Sequence, residues 1–155
     1  MMEIRRAEIK DVNTLVEFRK QQLIDEGDVP SVNIDKELKD YFTSAFSDDK
    51  SIIWIATNQG VPVATGGLYF FQFPPGYGNP TGERAYVHSM YTKEQYRGQG
   101  IASRILKAMI VEVKKRGSKI LFLQASKDGR PVYEKIGFTQ SEDVMVMRFS
   151  NVKGE

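Results

Sequence analysis

The sequence predicts one α/β domain, in which a central mixed and mostly antiparallel twisted sheet is flanked by helices. Strand-like runs rich in Ile, Val, Trp and Phe alternate with amphipathic stretches in the order βααβββαβαβ. The turn Asn58-Gln59-Gly60 between two such runs indicates an antiparallel hairpin. The continuous apolar run at 119–125 indicates a central strand covered on both faces. A chain of 155 residues without a linker is predicted to be a single domain over residues 1–155.

The individual elements follow from local signals, and the sheet is predicted to hold about six or seven strands with four helices around it. Asp11 is predicted to cap the first helix and Asn33 the second, because short polar side chains accept hydrogen bonds from the free N–H groups of a helix start. Apolar residues that repeat every four positions predict the third helix at 101–116, and Pro131 marks the start of the fourth. The predicted strands cover residues 3–7, 51–57, 61–71, 84–92, 119–125 and 144–149.

Two places in this pattern are irregular. Gly66-Gly67 lies inside a strand and indicates a bulge, or a point that backbone or ligand approaches closely. Residues 72–82 contain three prolines and three glycines, so they are predicted to form the one long loop. Such loops often carry substrate contacts.

The composition excludes several function classes. Lys and Arg number 22 against 20 Asp and Glu, and a net charge of +2 is too balanced to indicate a nucleic-acid-binding protein. The absence of cysteine excludes disulfides, thiolate metal ligands and a Cys nucleophile. No apolar stretch is long enough for a signal peptide or a membrane span, so a cytoplasmic protein with no membrane partner is expected.

The stretch from Gln95 to Ala102 lies between the predicted fourth strand and the third helix. Gly98 and Gly100 leave its backbone without side chains. A helix that begins here directs free N–H groups and the positive end of its dipole at the space above the loop, which suits a pyrophosphate. A Gly-x-x-x-x-Gly-Lys-Ser/Thr loop is missing, and Gly98-x-Gly100 lacks the third glycine of a dinucleotide fingerprint. Nucleotide binding therefore fits poorly.

The motif Gln95-x-Arg97-Gly98-x-Gly100-x-Ala102 resembles the acetyl-CoA motif of the GCN5-related N-acetyltransferase superfamily. A second element typical of that superfamily follows at 133–138, with the sequence Tyr-Glu-Lys-Ile-Gly-Phe. The two motifs carry the resemblance over about residues 84–149, and the order of the preceding elements agrees with it. The resemblance implies an acyl-CoA N-acyltransferase fold. It also implies an enzyme that moves an acetyl group from acetyl-CoA to a primary amine by direct attack in a ternary complex, without a metal.

The resemblance assigns cofactor contacts to particular residues. In the family the fourth strand separates from the fifth, which implies that backbone groups of Met90, Tyr91 and Thr92 pair with the pantetheine arm. The pyrophosphate is implied to lie against the loop and the first turn of the third helix. The residues assigned to it are Arg97, Gly98, Gln99, Gly100, Ile101, Ala102 and Ser103. Tyr133 matches the family tyrosine that points at the CoA sulfur, which implies that it donates a proton to the departing thiolate.

His88 is the candidate base, because the acceptor amine must lose a proton before it attacks the thioester. It is the only histidine, and its ordinary pKa of roughly 6.5 suits this task. Strand alternation places it on the same face as Met90. Glu83, Glu26 or a chain of waters are alternatives that the sequence leaves open, and so is a structural histidine between sheet and helix.

The acceptor site is the part that the sequence describes least. The resemblance points to the first two helices and to the loops beside the third, fourth and last strands, and acidic with aromatic groups would suit a cationic amine. A small molecule is favoured over a peptide or protein amine, because no recognition module is attached. Two rival interpretations are a non-catalytic acyl-CoA-binding module and a nucleotide-binding regulator. The last strand could pair with a second copy in a homodimer or lie inside the sheet. The residues of the acceptor regions are Arg19, Gln22, Asp25, Glu26, Asp28, Tyr69, Phe71, Phe73 and Tyr77.

Overall fold

A computed structural model describes residues 1–141 and 143–150 and contains a five-stranded sheet with helices packed on both faces. The strands are β1 (Met2–Arg6), β2 (Ser51–Asn58), β3 (Val61–Gln72), β4 (Glu83–Thr92) and β5 (Leu121–Leu123). The helices are α1 (Val12–Asp25), α2 (Asp35–Ala45), α3 (Ile101–Arg116) and α4 (Arg130–Ile136). Among the residues that the structure describes, no helix combines the length and the apolar character that crossing a bilayer requires.

The strands follow one another across the sheet in chain order. Each pair of neighbours is antiparallel except β4 and β5, which are parallel because α3 carries the chain back between them. The predicted mixed and mostly antiparallel sheet with four helices is thereby confirmed.

Two apolar cores lie on opposite faces of the sheet. On one face, Leu106 and Met109 of α3 pack on Leu68 and Phe70 of β3, and all four are completely or almost completely buried. On the other face, α1 and α2 cover β2 around Ile55. The helices of this second face leave the outer part of β3, β4 and β5 only partly covered, and the candidate site lies there.

The predicted number of strands was wrong. The sheet has five strands, and residues 143–150 form none, although 144–149 was predicted to be the last strand. The apolar side chains of that segment are exposed, because β propensity alone does not make a strand without a neighbour to pair with. The strand predicted at 119–125 is the three-residue β5, which is partly exposed and, among the residues that the structure describes, pairs only with β4. An apolar run does not reveal how many neighbours a strand has.

The two predicted helix caps have different outcomes. The backbone N–H of Asp35 donates to Asn33 Oδ1 at 2.9 Å, so Asn33 does cap the start of α2. Asp11 makes no side-chain cap on α1. Its buried carboxylate instead accepts hydrogen bonds from both Nη atoms of Arg5, at 2.8 and 2.9 Å, and from the backbone N–H of Glu8 at 2.8 Å. This cluster joins β1 to the start of α1.

We expect Asp11→Asn to lower the free energy of unfolding by about 2 kcal/mol at neutral pH, because it leaves the Arg5 guanidinium without its partner. The hydrogen bond from Arg5 holds the pKa of Asp11 below its ordinary value of 3.8. The contribution is therefore complete above pH 3.8 and disappears as the pH falls through the lower folded value. Urea denaturation at pH 7 and pH 3 measures both effects, with the exposed Asp28→Asn as control. An identical loss of stability at acid pH in wild type and Asp11→Asn would contradict the assignment.

Candidate active site

β4 carries a bulge where it passes the two glycines of β3. The register shifts between Thr65 and Gly67, so that Ser89 and Met90 together oppose the single residue Gly66. Ser89 adopts a φ of 55°, which is uncommon for a residue with a side chain. A β-carbon on Gly66 would lie 2.5 Å from Met90 Sδ. The irregularity predicted at Gly66-Gly67 is present, but the bulge lies on β4, opposite these glycines, and glycine is required there because the side chain of Met90 fills the space.

β4 and β5 stop pairing just before the bulge, in line with the separation that the family resemblance implied. The last pair in their ladder is Val87↔Leu123, and β5 ends at that residue. β4 continues to Thr92. The backbone of residues 88–92 therefore has an edge with no β5 partner, and an extended ligand could pair with it as an added strand.

The glycine loop presents free backbone donors at the start of α3. Gly98 and Gly100 have φ values of 76° and 80°, and a β-carbon on either would meet no atom within 4 Å. Glycine is therefore needed at these two positions for its backbone conformation, and not because a side chain would lack space. Within the described part of the chain, no backbone N–H of residues 98–103 donates a hydrogen bond, and Arg104 makes the first helical bond, to Gly100. Free N–H groups at the start of a helix are a favourable place for an anion.

These elements meet in a cleft of about 710 Å³. Its walls are the end of α1, the end of β4, the glycine loop, residues 124–129 after β5, and α4. Tyr133 lines this cleft, whereas His88 is not among its lining residues. Gln99 turns away, and its side chain donates to the Gln95 carbonyl at 3.3 Å. The residues predicted from the motif that do line the cleft are Met90, Tyr91, Thr92, Arg97, Gly98, Gly100, Ile101, Ala102 and Ser103.

Tyr133 is presented to the cleft by α4. Its ring packs on Gly129, where a β-carbon would lie 2.9 Å from Tyr133 Cε2. Burial, followed by the nearby charge of Glu26, raises the pKa of Tyr133 to about 12. The phenol therefore keeps its proton throughout the physiological pH range.

His88 lies on the α1 side of the sheet and is held by two hydroxyl groups. The prediction that it shares a face with Met90 was wrong, because the extra residue of the bulge turns Met90 towards Ile105 and Met109 of α3. Its Nδ1 is 3.0 Å from Ser89 Oγ, and its Nε2 is 3.4 Å from the hydroxyl of Tyr41. The ring also covers Gly67, where a β-carbon would lie 2.6 Å from Nε2. Burial, with a smaller contribution from the positive charge of Arg19, lowers the pKa of His88 to about 4, well below the ordinary value assumed from sequence. The imidazole is neutral at pH 7.

The sheet-facing side of α1 carries a polar stripe. Arg19 Nη1 donates to Gln22 Oε1 at 3.0 Å, and Gln22 Nε2 donates to Glu26 Oε1 at 3.2 Å. Gln22 is buried. All three residues were predicted individually for the acceptor site. Their spacing of three and four positions also indicated that they share one face of the helix.

A second contact of α1 crosses the cleft to the glycine loop. Arg97 Nη2 donates to Asp25 Oδ2 at 2.8 Å, and Arg97 Nε donates to the Thr92 carbonyl at 2.8 Å. Gln21 supports Asp25 from the preceding turn, at 2.8 Å. Two of the Arg97 donors expected to face a pyrophosphate are thus bonded to protein atoms.

Aromatic rings cover the sheet beside His88. Tyr86 stacks on His88 with a centroid distance of 6.3 Å, and Tyr41 meets His88 edge-on at 5.9 Å. The predicted aromatic residues Tyr69, Phe71 and Phe73 continue this surface, whereas Tyr77 is fully exposed. Sequence reasoning missed Tyr41, Tyr86 and Phe122. For Tyr86, the two-residue alternation with His88 along β4 was an available signal.

Glu83, one of the alternative bases, lies at the start of β4, five residues from His88. Its carboxylate accepts a hydrogen bond from Arg116 Nε at 3.0 Å. Strand geometry puts about 16 Å between the two positions, so Glu83 belongs to the opposite end of the strand. In residues 1–141 and 143–150, no three His, Asp or Glu side chains are grouped to hold a metal ion.

Comparison with known proteins identifies the class of protein that this fold and cleft define. The model of the acetyltransferase (GNAT) family matches residues 12–138, and the chain belongs to that family. A solved structure from Clostridium acetobutylicum, described as a predicted acetyltransferase with acetyl-CoA, is 42% identical to this chain. The match covers 96% of both chains with a TM-score of 0.91.

Curated relatives add more distant similarity. Thialysine N-epsilon-acetyltransferases of Mus musculus and Bos taurus are 32% and 31% identical, over 98 and 97 residues. These matches cover 59% of this chain, and the chain spans about half the length of the curated relatives, 55% in each case. A GCN5-related N-acetyltransferase from Ralstonia eutropha has a TM-score of 0.88 at 22% identity over 96% and 99% of the two chains, which shows the fold alone.

Proposed function

We propose that this protein is an N-acetyltransferase that moves an acetyl group from acetyl-CoA to the primary amine of a small molecule. The observation that carries the proposal is the meeting of three features in one cleft. These are the free N–H groups of residues 98–103, the unpaired edge of β4, and the hydroxyl of Tyr133. Membership of the GNAT family and the similarity to the Clostridium structure with acetyl-CoA support the same conclusion.

The cleft residues fit acetyl-CoA in a definite order. The backbone of Met90, Tyr91 and Thr92 would pair with the pantetheine amides, because β5 leaves this edge of β4 open. The N–H groups of residues 98–103 would bind the pyrophosphate at the positive end of α3. Arg97 would contribute the guanidinium donors that Asp25 and Thr92 do not use.

Tyr133 is proposed to stabilise the sulfur that departs from the acetyl group. Acetyl-CoA supplies the acetyl thioester, in which a C–S bond breaks as the N–C bond to the amine forms. A thiol has a pKa of roughly 8.5, which is about 3 to 4 units below that of Tyr133. Complete transfer of the phenolic proton is therefore unfavourable, and Tyr133 acts as a hydrogen-bond donor to the thiolate.

His88 is proposed to accept the proton of the attacking amine. It is neutral at pH 7, so Nε2 or Nδ1 is free to accept a proton, and the hydroxyls of Tyr41 and Ser89 connect the ring to its surroundings. A base with a pKa of about 4 is weak. We therefore expect it to pass the proton on to water rather than to hold it. Glu26 and a water chain remain the alternative bases, while Glu83 is bonded to Arg116.

A thiol-release assay tests the proposal with acetyl-CoA and a panel of amino acids, diamines, polyamines, aminoglycosides, aryl amines and short peptides. Turnover on one class of acceptor would establish the enzyme and its substrate class. Turnover on peptides alone would show that the acceptor is a peptide amine and not a small molecule. Saturable acetyl-CoA binding without turnover on any acceptor would favour a non-catalytic acyl-CoA-binding module, and no acetyl-CoA binding would overturn the proposal.

We expect Gly100→Ala to raise KM for acetyl-CoA at least tenfold. The alanine resists a φ of 80°, so the N–H groups at the start of α3 change direction. Gly60→Ala is the matched control, because Gly60 has a φ of 79° in the β2–β3 turn and equally open surroundings. Both variants should lose similar stability, and only Gly100→Ala should bind acetyl-CoA poorly. Equal KM values in the two variants would contradict the proposal that this loop binds the pyrophosphate.

A second copy of the chain is the proposed protein partner. The apolar side chains of residues 144–149 are exposed, and β5 pairs on one side only within the described residues. Sedimentation at micromolar concentration should give a dimer for the wild type. A variant with Val144→Lys and Val146→Lys should be monomeric, whereas Val111→Lys on the exposed side of α3 should remain dimeric. A monomeric wild type would contradict the proposal.

A further inference from the structure

Arg19 occupies an unusual position for a cation. It lies on the sheet-facing side of α1, four residues after Leu15 and three before Gln22, which are only 1% and 8% exposed. Arg19 itself is partly buried. Its positive charge lowers the pKa of His88 and also acts on the hydroxyl of Tyr41. Its charge is therefore close enough to act on the groups beside the proposed base.

Several other arginines each bind a carboxylate of the protein, although among the described residues the partly buried Arg84 and Arg130 have no carboxylate partner. Arg5 pairs with Asp11, Arg97 with Asp25 and Arg116 with Glu83. Among the ion pairs of residues 1–141 and 143–150, none includes Arg19, and its hydrogen bond goes to the neutral amide of Gln22. A partly desolvated guanidinium without a counterion is a favourable site for an anion, and its planar fork suits a carboxylate.

The same stripe carries the opposite charge at its other end. Glu26 follows Arg19 by seven residues, which is about 10 Å along the helix. The buried Gln22 connects the two by donating to Glu26 and accepting from Arg19, so it holds both side chains in place. Glu26 lines the cleft with Tyr133 and raises its pKa. The negative end of the stripe is therefore the end at which the acetyl group would be transferred.

We propose that Arg19 binds a carboxylate of the acceptor, so that the preferred substrate is an amino acid or a similar amine that carries a carboxylate. The reacting amine then lies towards Glu26, and the rings of Tyr41 and Tyr86 flank the part of the acceptor between its two ends. This inference rests on the proposed N-acetyltransferase function. A diamine or polyamine is disfavoured, because its second ammonium group would face the guanidinium of Arg19.

Two matched pairs of acceptors isolate the carboxylate. Lysine differs from cadaverine, and ornithine from putrescine, only by that group. Wild type should have the higher kcat/KM for the amino acid of at least one pair. Arg19→Gln should lower kcat/KM for that amino acid about 30- to 100-fold, mainly through KM, and should not lower kcat/KM for the diamine, because the repulsion of its second ammonium group is removed. Arg19→Lys should recover part of the loss because it keeps the charge. Lys39→Gln, which removes an exposed cation from α2, is the control.

Binding provides a readout that does not require turnover. His88 is the only histidine, so the NMR signals of its ring report on this site directly. In wild type these signals should shift saturably with lysine or ornithine but not with the matched diamine, and the shift should disappear in Arg19→Gln. The pKa of His88 should also rise in Arg19→Gln, because the nearby positive charge is gone.

The outcomes separate the two proposals. No thiol release with any acceptor, together with carboxylate-dependent shifts of His88, would reject the acetyltransferase and keep the carboxylate site. Equal loss of activity on amino acids and diamines in Arg19→Gln, or diamines preferred by the wild type, would overturn the role of Arg19. Absence of any carboxylate-dependent shift would overturn it as well.

Discussion

Replacing Tyr133 with phenylalanine is expected to lower kcat roughly 30- to 100-fold, while KM for acetyl-CoA stays within about twofold. The change removes one hydroxyl and leaves the ring packed on Gly129. A hydrogen bond to a charged group contributes about 2 to 3 kcal/mol, which corresponds to this range of rates. The thiolate forms only as the acetyl group leaves, so the loss should fall on kcat.

The pH profile and a matched variant complete this test. Because the pKa of Tyr133 is raised to about 12, its neutral donor form persists below that pH, and its ionisation should cause no loss of activity up to pH 10. Tyr77→Phe is the control, because the side chain of Tyr77 is fully exposed in the loop at 72–82. Unchanged kcat in Tyr133→Phe would assign the tyrosine to packing and leave the thiolate to another donor.

Replacing Gly67 with alanine is expected to abolish most of the activity and to cost about 1 to 3 kcal/mol of stability. The new methyl group would lie 2.6 Å from Nε2 and 2.8 Å from Nδ1 of His88. The imidazole must therefore move away from Tyr41 and Ser89. If His88 accepts the proton of the amine, the rate of Gly67→Ala should approach that of His88→Ala.

The position of the single histidine can be observed directly in this variant. The NMR signals of the His88 ring should shift in Gly67→Ala and its pKa should rise towards 6.5, because displacement exposes the ring to water. Gly76→Ala is the control, since a β-carbon at Gly76 meets nothing within 4 Å. A displaced ring with full activity would eliminate His88 as the base and favour Glu26 or water.

Much of the cleft was predictable because its signals are local. Two glycines between a strand and an amphipathic helix predict a helix start with free N–H groups, whatever surrounds it. The start of α3 at Ile101 and its end at Arg116 agree with the prediction residue by residue. The paired glycines of β3 likewise indicated an irregular point of the sheet, but they did not show that the bulge lies on β4, whose Met90 and His88 fill the space at the glycines.

The properties that depend on neighbours could not be obtained in this way. The apolar segments at 119–125 and 144–149 resemble strands by composition, but a strand needs a partner, and only β5 has one. The pKa of His88 was assumed to be ordinary, since neither its burial nor the charge of Arg19 is visible along the chain. Glu83 was among the bases that the sequence left open, since its ion pair with Arg116 joins residues that are far apart in the chain.

The sequence by itself determined the family, the glycine loop, the four helices and the presence of Tyr133 at the cleft, because each follows from residues close together in the chain. Only the tertiary structure decided the number of strands, the weak basicity of His88 and the opposed charges of Arg19 and Glu26 above the sheet. These depend on burial and on charges brought together from separate elements, which act through space rather than along the sequence.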